Sequence, residues 1–251
     1  MTWFNFLKRP VVLHCYTNRA DVFNFTPIKK SNEFIPNWWK AVPKTTNNPN
    51  LLLPGATIKT CAGFIDLYSA GFMVPMWSDF AMKVGPIGDP FYLWQYSDGC
   101  SHAEEHPQIQ RGDAYPTTHY QHLKLITPWL LRCDEDIKFL LTGPTWNITQ
   151  PEKMHVLTGV VNFKYVAQAN VNTLFIKHNV PSQYDIAVGD PVLHIIPLTE
   201  RKVVIKTHLV DDATFKNITA VGSNVCNINR QKFVKQVVEA NGCPFHFKVE
   251  R

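Results

Sequence analysis

Val203-Val-Ile-Lys-Thr-His-Leu-Val210 alternates with a period of two: Val203, Ile205 and Thr207 stand against Val204, Lys206 and His208. In an extended chain successive side chains point to opposite faces, so this stretch is a half-buried strand. Similar short runs occur at Val11–Tyr16, Phe80–Val84, Phe91–Tyr96, Tyr120–Ile126, Ile137–Leu141, His155–Val161, Val171–Lys177 and Val192–Leu198. The 18 prolines are spread along the chain and cut it into short segments. Many short strands separated by turn signals predict a mainly β fold, sandwich or β-clip-like, rather than alternating α/β units.

A few short helices are expected beside the strands. In Asn32–Val42, Pro36 suits the first helical turn and Pro43 ends it. Thr60–Ala70 reads as a helix with Thr60 as N-cap and Gly71 past its end. A C-terminal helix over Arg230–Ala240 has Asn229 as its cap, the stripe Phe233, Val234, Val237 and Val238, and Asn241-Gly242 as its stop. No repeat, low-complexity segment or linker divides the chain. One β-rich domain over residues 1–251 follows, with residues 1–10 as an N-terminal arm.

Composition narrows the class. Apolar residues are 45% of the 251 and aromatics 12%, enough for a substantial core and too many for a disordered chain. Charged residues are only 18%, and the net charge of +5 is dispersed, with no basic stripe for a phosphate backbone, so nucleic acid is not an expected partner. No apolar window approaches a membrane span. The N-terminus puts its apolar residues before its charges, the reverse of a signal peptide. The six cysteines at 15, 61, 100, 133, 226 and 243 lack any C-x-x-C spacing, so free thiols of a reducing compartment are expected.

Two resemblances follow from specific stretches. Phe34-Ile-Pro-Asn-Trp-Trp-Lys40, Lys59-Thr-Cys-Ala-Gly-Phe-Ile-Asp66, Gly71-Phe-Met-Val-Pro-Met-Trp-Ser-Asp79, Lys124-Leu-Ile-Thr-Pro-Trp129 and Gly189-Asp-Pro-Val-Leu-His-Ile-Ile-Pro197 resemble an uncharacterised protein family. That family occurs in tailed phages of marine bacteria (cyanophage type) and has bacterial relatives. The resemblance implies viral origin and brings no activity with it. Locally, Gly159-Val-Val-Asn-Phe-Lys-Tyr165, Asn172-Thr-Leu-Phe-Ile176 and Tyr184-Asp-Ile-Ala-Val-Gly-Asp190 resemble the β-clip pattern of dUTPase-like proteins. The position of that pattern's catalytic Asp is Asn162 here, and an amide cannot serve as general base. The resemblance therefore implies the fold without the activity.

Several residue sets are candidates for chemistry. His102-Ala-Glu-Glu105-His106 is a literal H-x-x-E-H, the inverted zincin pattern, which needs a helix to gather His102, Glu105 and His106 around a metal. Pro107 leaves room for at most one turn. Asp66 and Asp79 are carboxylates that would converge on one site or serve as turn caps. Cys61, at a helix start, is either a dipole-activated thiolate or a buried structural thiol. Trp3, Phe4, Trp38 and Trp39 are candidate partner-binding residues, because two adjacent tryptophans on a one-turn helix are not expected to face one core.

The expected function is that of a phage-encoded, non-enzymatic virion structural or assembly protein acting through protein–protein contacts. The alternatives are a metal-dependent enzyme using the His/carboxylate site and a small-molecule or host-protein binder used during infection. The expected partners are other viral proteins or further copies of the chain, in the host cytoplasm or virion. No cofactor is expected, a divalent metal being the alternative.

Overall fold

The computed structural model of the chain describes residues 9–46, 55–106, 112, 117–147 and 154–222. Trp3, Phe4, the predicted helix Arg230–Ala240, Cys226 and Cys243 lie outside the described residues.

Strand β1 (Val11–Thr17) is central to the first sheet. It pairs antiparallel with β10 (Leu130–Cys133) and parallel with β17 (Val203–Leu209). Its burial alternates without a break, with Val11, Leu13, Cys15 and Thr17 inward and Val12, His14 and Tyr16 half-exposed. A second sheet runs β13 (Gly159–Val161), β11 (Phe139–Thr142), β16 (Pro191–Pro197), β5 (Phe72–Pro75) and β2 (Lys29–Lys30). A third runs β12 (His155–Val156), β14 (Val171–Ile176), β9 (Tyr120–Ile126) and β8 (His102–Glu104), and a fourth β15 (Ser182–Ile186), β6 (Phe80–Val84) and β7 (Tyr92–Tyr96). Thr45–Thr46 (β3) and Gly55–Ala56 (β4) make a two-stranded clip.

The inner faces of the four larger sheets meet in one core. Leu13, Val74, Phe80, Leu125, Phe139, Phe175 and Ile195 all belong to it, as does Trp129 between strands. The architecture is mainly β and sandwich-like, as the alternation predicts. Burial of this kind contributes about 25 cal/mol per Å2 of apolar surface removed from water.

Helices are short: α1 (Ala20–Phe25), α2 (Asn37–Ala41), α3 (Ala62–Ser69) and α4 (Asp212–Gly222). Among them, α2 and the end of α3 match the sequence reading, but the start of α3 does not. Thr57, not Thr60, supplies a cap: its hydroxyl accepts from Lys59 N (3.2 Å) at the head of a 3-10 turn over Ile58–Thr60, and the α-helix begins after Cys61. The predicted strand His155–Val161 is two strands, because β12 pairs with β14 whereas β13 crosses to β11. Strand β5 has no alternation to detect, since all four of its residues are buried.

The turn between α3 and β5 sets how these elements meet. Gly71 has φ +75, a left-handed conformation, and a Cβ there would lie 2.0 Å from the carbonyl oxygen of Ile195 on β16. Only glycine satisfies both conditions. Beside it, the carbonyl of Ala70 accepts from Ser31 Oγ (2.8 Å) and from His194 Nε2 (2.8 Å), both fully buried residues. A carbonyl only accepts, so His194 carries its proton on Nε2, and that N–H is shared with Ser31 Oγ at 2.9 Å.

Replacing Gly71 by Ala is expected to destabilise the protein by more than ~2 kcal/mol, from the left-handed backbone together with the collision at Ile195. A lowered urea midpoint with an unchanged slope would show it, and a midpoint equal to wild type would refute it.

Candidate functional site

The described residues form an open depression on the outward face of the fourth sheet. Its volume is about 490 Å3 and its walls include Asp79, Ala81, Gln95, Ser97, Asp185 and Ala187. Strand register explains the shape. Gln95 on β7, Ala81 on β6 and Asp185 on β15 lie in one row across the sheet, so a methyl group stands between two longer side chains. The floor is low because Ala81 is small. The strands turn Tyr96, Met82 and Tyr184 to the core and Gln95, Ala81 and Asp185 outward.

The cleft is acidic and rich in acceptors. Asp79 Oδ1 accepts the backbone N–H of Val188 at 2.8 Å, and the carbonyl of Asp79 accepts from Ser97 N at 3.0 Å. Gln183 Nε2 donates to both oxygens of Asp185, at 3.0 and 3.1 Å. The hydroxyls of Ser97 and Ser78 are bonded to each other at 3.0 Å. Asp79, Ser97 and Asp185 are thus each oriented by a neighbour. Apolar side chains flank the cleft: Leu93 on the next row of β7 is 58% exposed, and Val188 is also exposed.

Among the predicted site residues, Asp79 lines this cleft, its carboxylate bonded to the Val188 amide of the distant segment after β15 rather than within its own turn. Asp66 does not join it. It is exposed on α3 and is not part of the cleft wall. The expectation that the two carboxylates converge is therefore not met.

The H-x-x-E-H segment is extended, which corrects the zincin reading. His102 and Glu104 lie on the outer side of β8, and Glu105 continues the chain toward the opposite side. Glu104 pairs with Lys124 (2.6 Å) and His102 sits edge-on to Trp94. Glu105 Oε1 accepts from Gln121 Nε2 (2.5 Å), while His106 stacks on His122 with ring centroids 4.8 Å apart. His102, Glu105 and His106 thus each take a different partner. Among the described residues no group of three His, Cys, Asp or Glu side chains is placed to hold a metal ion.

Trp38 and Trp39 reach one small core, contrary to the geometric expectation. Trp39 stacks on Phe64 (4.6 Å, 10°), and Trp38 meets Phe64 edge-on and donates Nε1–H to the carbonyl of Trp146 at 3.3 Å. The two rings close around Phe64 from different sides, with Tyr68 and Met73 completing the cluster. Lys59 lies over the Trp39 ring at 4.2 Å and donates to the carbonyls of Trp39 and Lys40. Cys61 packs against the same cluster, which supports its reading as a structural thiol. Cys15, Cys61, Cys100 and Cys133 are free, and burial pushes the Cys15 thiol far up.

Three further polar sets escaped the sequence reading, because their members are distant in the chain. Asp136 Oδ1 accepts from Asn162 Nδ2 (2.5 Å) and Oδ2 from the Tyr165 hydroxyl (3.2 Å), so a carboxylate does stand beside Asn162. Arg19 Nη1 bridges Asp98 and Ser101, each at 2.9 Å. Burial disfavours the charged Asp98, but hydrogen bonds from Ser101 and Arg19 outweigh it and hold the carboxyl at about 2. Lys177 is buried and donates to the carbonyl of Asp89 at 2.6 Å; burial lowers its pKa, against the pull of Asp89 and Glu105. No helix among the described residues is long and apolar enough to cross a membrane.

Comparison with known proteins found no matching family model, no matching curated protein and no matching solved structure.

Asp79→Ala is expected to remove the hydrogen-exchange protection of the Val188 amide, whereas Asp79→Asn retains it through its amide oxygen. Each variant should lie within ~1 kcal/mol of wild-type stability, the net worth of one exposed hydrogen bond. Equal Val188 exchange in wild type and Asp79→Ala would show that the carboxylate does not cap this loop.

Proposed function

We propose that the chain is a structural or assembly protein of a tailed phage, acting by non-covalent contact with other proteins rather than by catalysis. The observation that carries this reading is the cleft over Ala81. It is open and shallow, its carboxylates are committed to local hydrogen bonds, and exposed Leu93 and Val188 flank it. Such a surface suits a side chain or strand from another protein, because apolar contact supplies affinity and the oriented acceptors supply register. A catalytic site would need a nucleophile or base within reach of a reacting atom. Asp98, His194 and Lys177 have the perturbed acid–base character that such a role requires. Each of them instead ties one chain segment to another.

The viral assignment rests on the sequence resemblance, and the contact role on the cleft. Trp38 and Trp39 support the N-terminal cluster in this reading, which moves the contact surface from the tryptophan pair to β6, β7 and β15.

In particles purified from infected cells, mass spectrometry is expected to find the chain at a regular copy number. Ala81→Arg, which fills the cleft from an already half-exposed position, is expected to drop out of particles while the purified variant keeps its Tm within ~2 °C. Absence of the wild-type chain from particles would refute the virion role. Incorporation of Ala81→Arg at the wild-type copy number would refute the cleft as the contact.

A further inference from the structure

Strands β1 and β17, the first and last strands of the described residues, lie side by side in parallel, with His14 opposite Lys206 and Tyr16 opposite His208. On the outward face His14 Nδ1 and His208 Nε2 approach to 2.9 Å. The two rings are within 23° of parallel with centroids 5.2 Å apart, the separation of imidazoles joined by an in-line N–H···N bond. Tyr16 stacks on His208 at 4.7 Å and 18°. Two ring nitrogens this close cannot both carry hydrogen, so one donates and the other offers its lone pair.

We propose that the His14–His208 pair is an acid-sensitive latch, which holds β17 and the following α4 to β1 at neutral pH and loosens them on acidification. The first added proton goes to the outward nitrogen of the donor ring and leaves the shared bond in place, now charge-assisted. The second must occupy the acceptor nitrogen. It breaks the bond and sets two cations against each other.

The surroundings make that second step costly. Arg132 on β10 stands opposite His14, Lys206 on β17 adjoins both imidazoles, and Asp134, which accepts from Arg132 Nε, is the opposing charge. On α1, which packs against β17, Asp21 is held by Arg19. On α4, which packs against β10, Asp212 accepts from Asn18 and Lys216 is exposed. Burial first, then Lys206 and Arg132, outweigh Asp134 and lower the pKa of His14. Burial, His14 and Lys206 lower that of His208.

Both folded values therefore lie below the ordinary imidazole value of about 6.5. The released state binds more protons in that range, so the seam is complete above about 6.5 and weakens as pH falls through the pair's own values. The weakening acts on β17 because β1 is its only strand neighbour among the described residues.

Amide hydrogen exchange of the full chain, corrected for intrinsic rate, tests the latch at about pH 7.5 and about pH 5. The expected result is a loss of protection of about tenfold or more over Val203–Leu209 in the wild type, and none in His208→Gln, whose amide bonds His14 without charging. Amides of β16 beside His194 report any separate acid effect. His14→Gln serves as a second variant, and the wild-type imidazole signals need no variant: the two rings are expected to titrate as a coupled pair below about 6.5. Unchanged β17 protection on acidification, equal acid loosening in both Gln variants, or independent titration at or above about 6.5 would overturn the latch.

Discussion

The carbonyl of Ala70 is the point on which the N-terminal third of the molecule turns. It sits between the buried side chains of Ser31 and His194, and both donate to it. A buried donor left unpaired costs on the order of 1–3 kcal/mol, so the Ser31 hydroxyl and the His194 ring N–H depend on this carbonyl wherever the corner is closed. Gly71 follows directly, with its α-hydrogen against the carbonyl of Ile195, and lets β5 enter the sheet beside β16. The same corner places Tyr68 and Met73 together, and with them the platform on which Phe64, Trp38 and Trp39 assemble. The aromatic cluster depends on this corner, and so does the line of β5 toward Trp77, Asp79 and the cleft.

Strand periodicity was legible where one face is wet. Phe80–Val84 and Tyr120–Ile126 were read with their observed bounds, and Val11–Tyr16 and Val203–Val210 to within a residue. It was silent where both faces are buried, as in Phe72–Pro75, and where the strand is short and polar, as in His102–Glu104. That second failure produced the metal-site candidate, since a motif defined on a helix means nothing on a strand. Pairing was not legible at all. The parallel union of β1 with β17, and hence His14 with His208, joins residues 194 positions apart. Of the cleft, only Asp79 was singled out, because its depth comes from the register of Ala81 against Gln95 and Asp185.

The polar interior has a consistent use. Arg19 with Asp98 and Ser101, Lys177 with the carbonyl of Asp89, and Arg201 with Glu135 and the carbonyl of Arg9 each join segments far apart in sequence. In a β-rich chain cut by prolines, loops carry many backbone groups that no ladder satisfies, and buried or half-buried cationic side chains answer that need. This leaves the sheet exteriors to differ in chemistry: acidic and notched over Ala81, basic and imidazole-bearing over His14 and Lys206.

The central physical claim is that His194 is a neutral, Nε2-protonated clasp on the Ala70 carbonyl. Burial holds its pKa down, against the opposing effect of the bond to Ala70. The folded value lies below the unfolded one, so its contribution to stability is full above about 6.5 and is lost as pH falls through the folded value. The most direct measurement is a nitrogen-15 NMR titration of the imidazoles. The His194 ring is expected to be protonated at Nε2 and free of hydrogen at Nδ1 at neutral pH, and to take up its second proton only below about 6.5. A ring protonated at Nδ1 instead, or one that titrates at or above about 6.5, would contradict it.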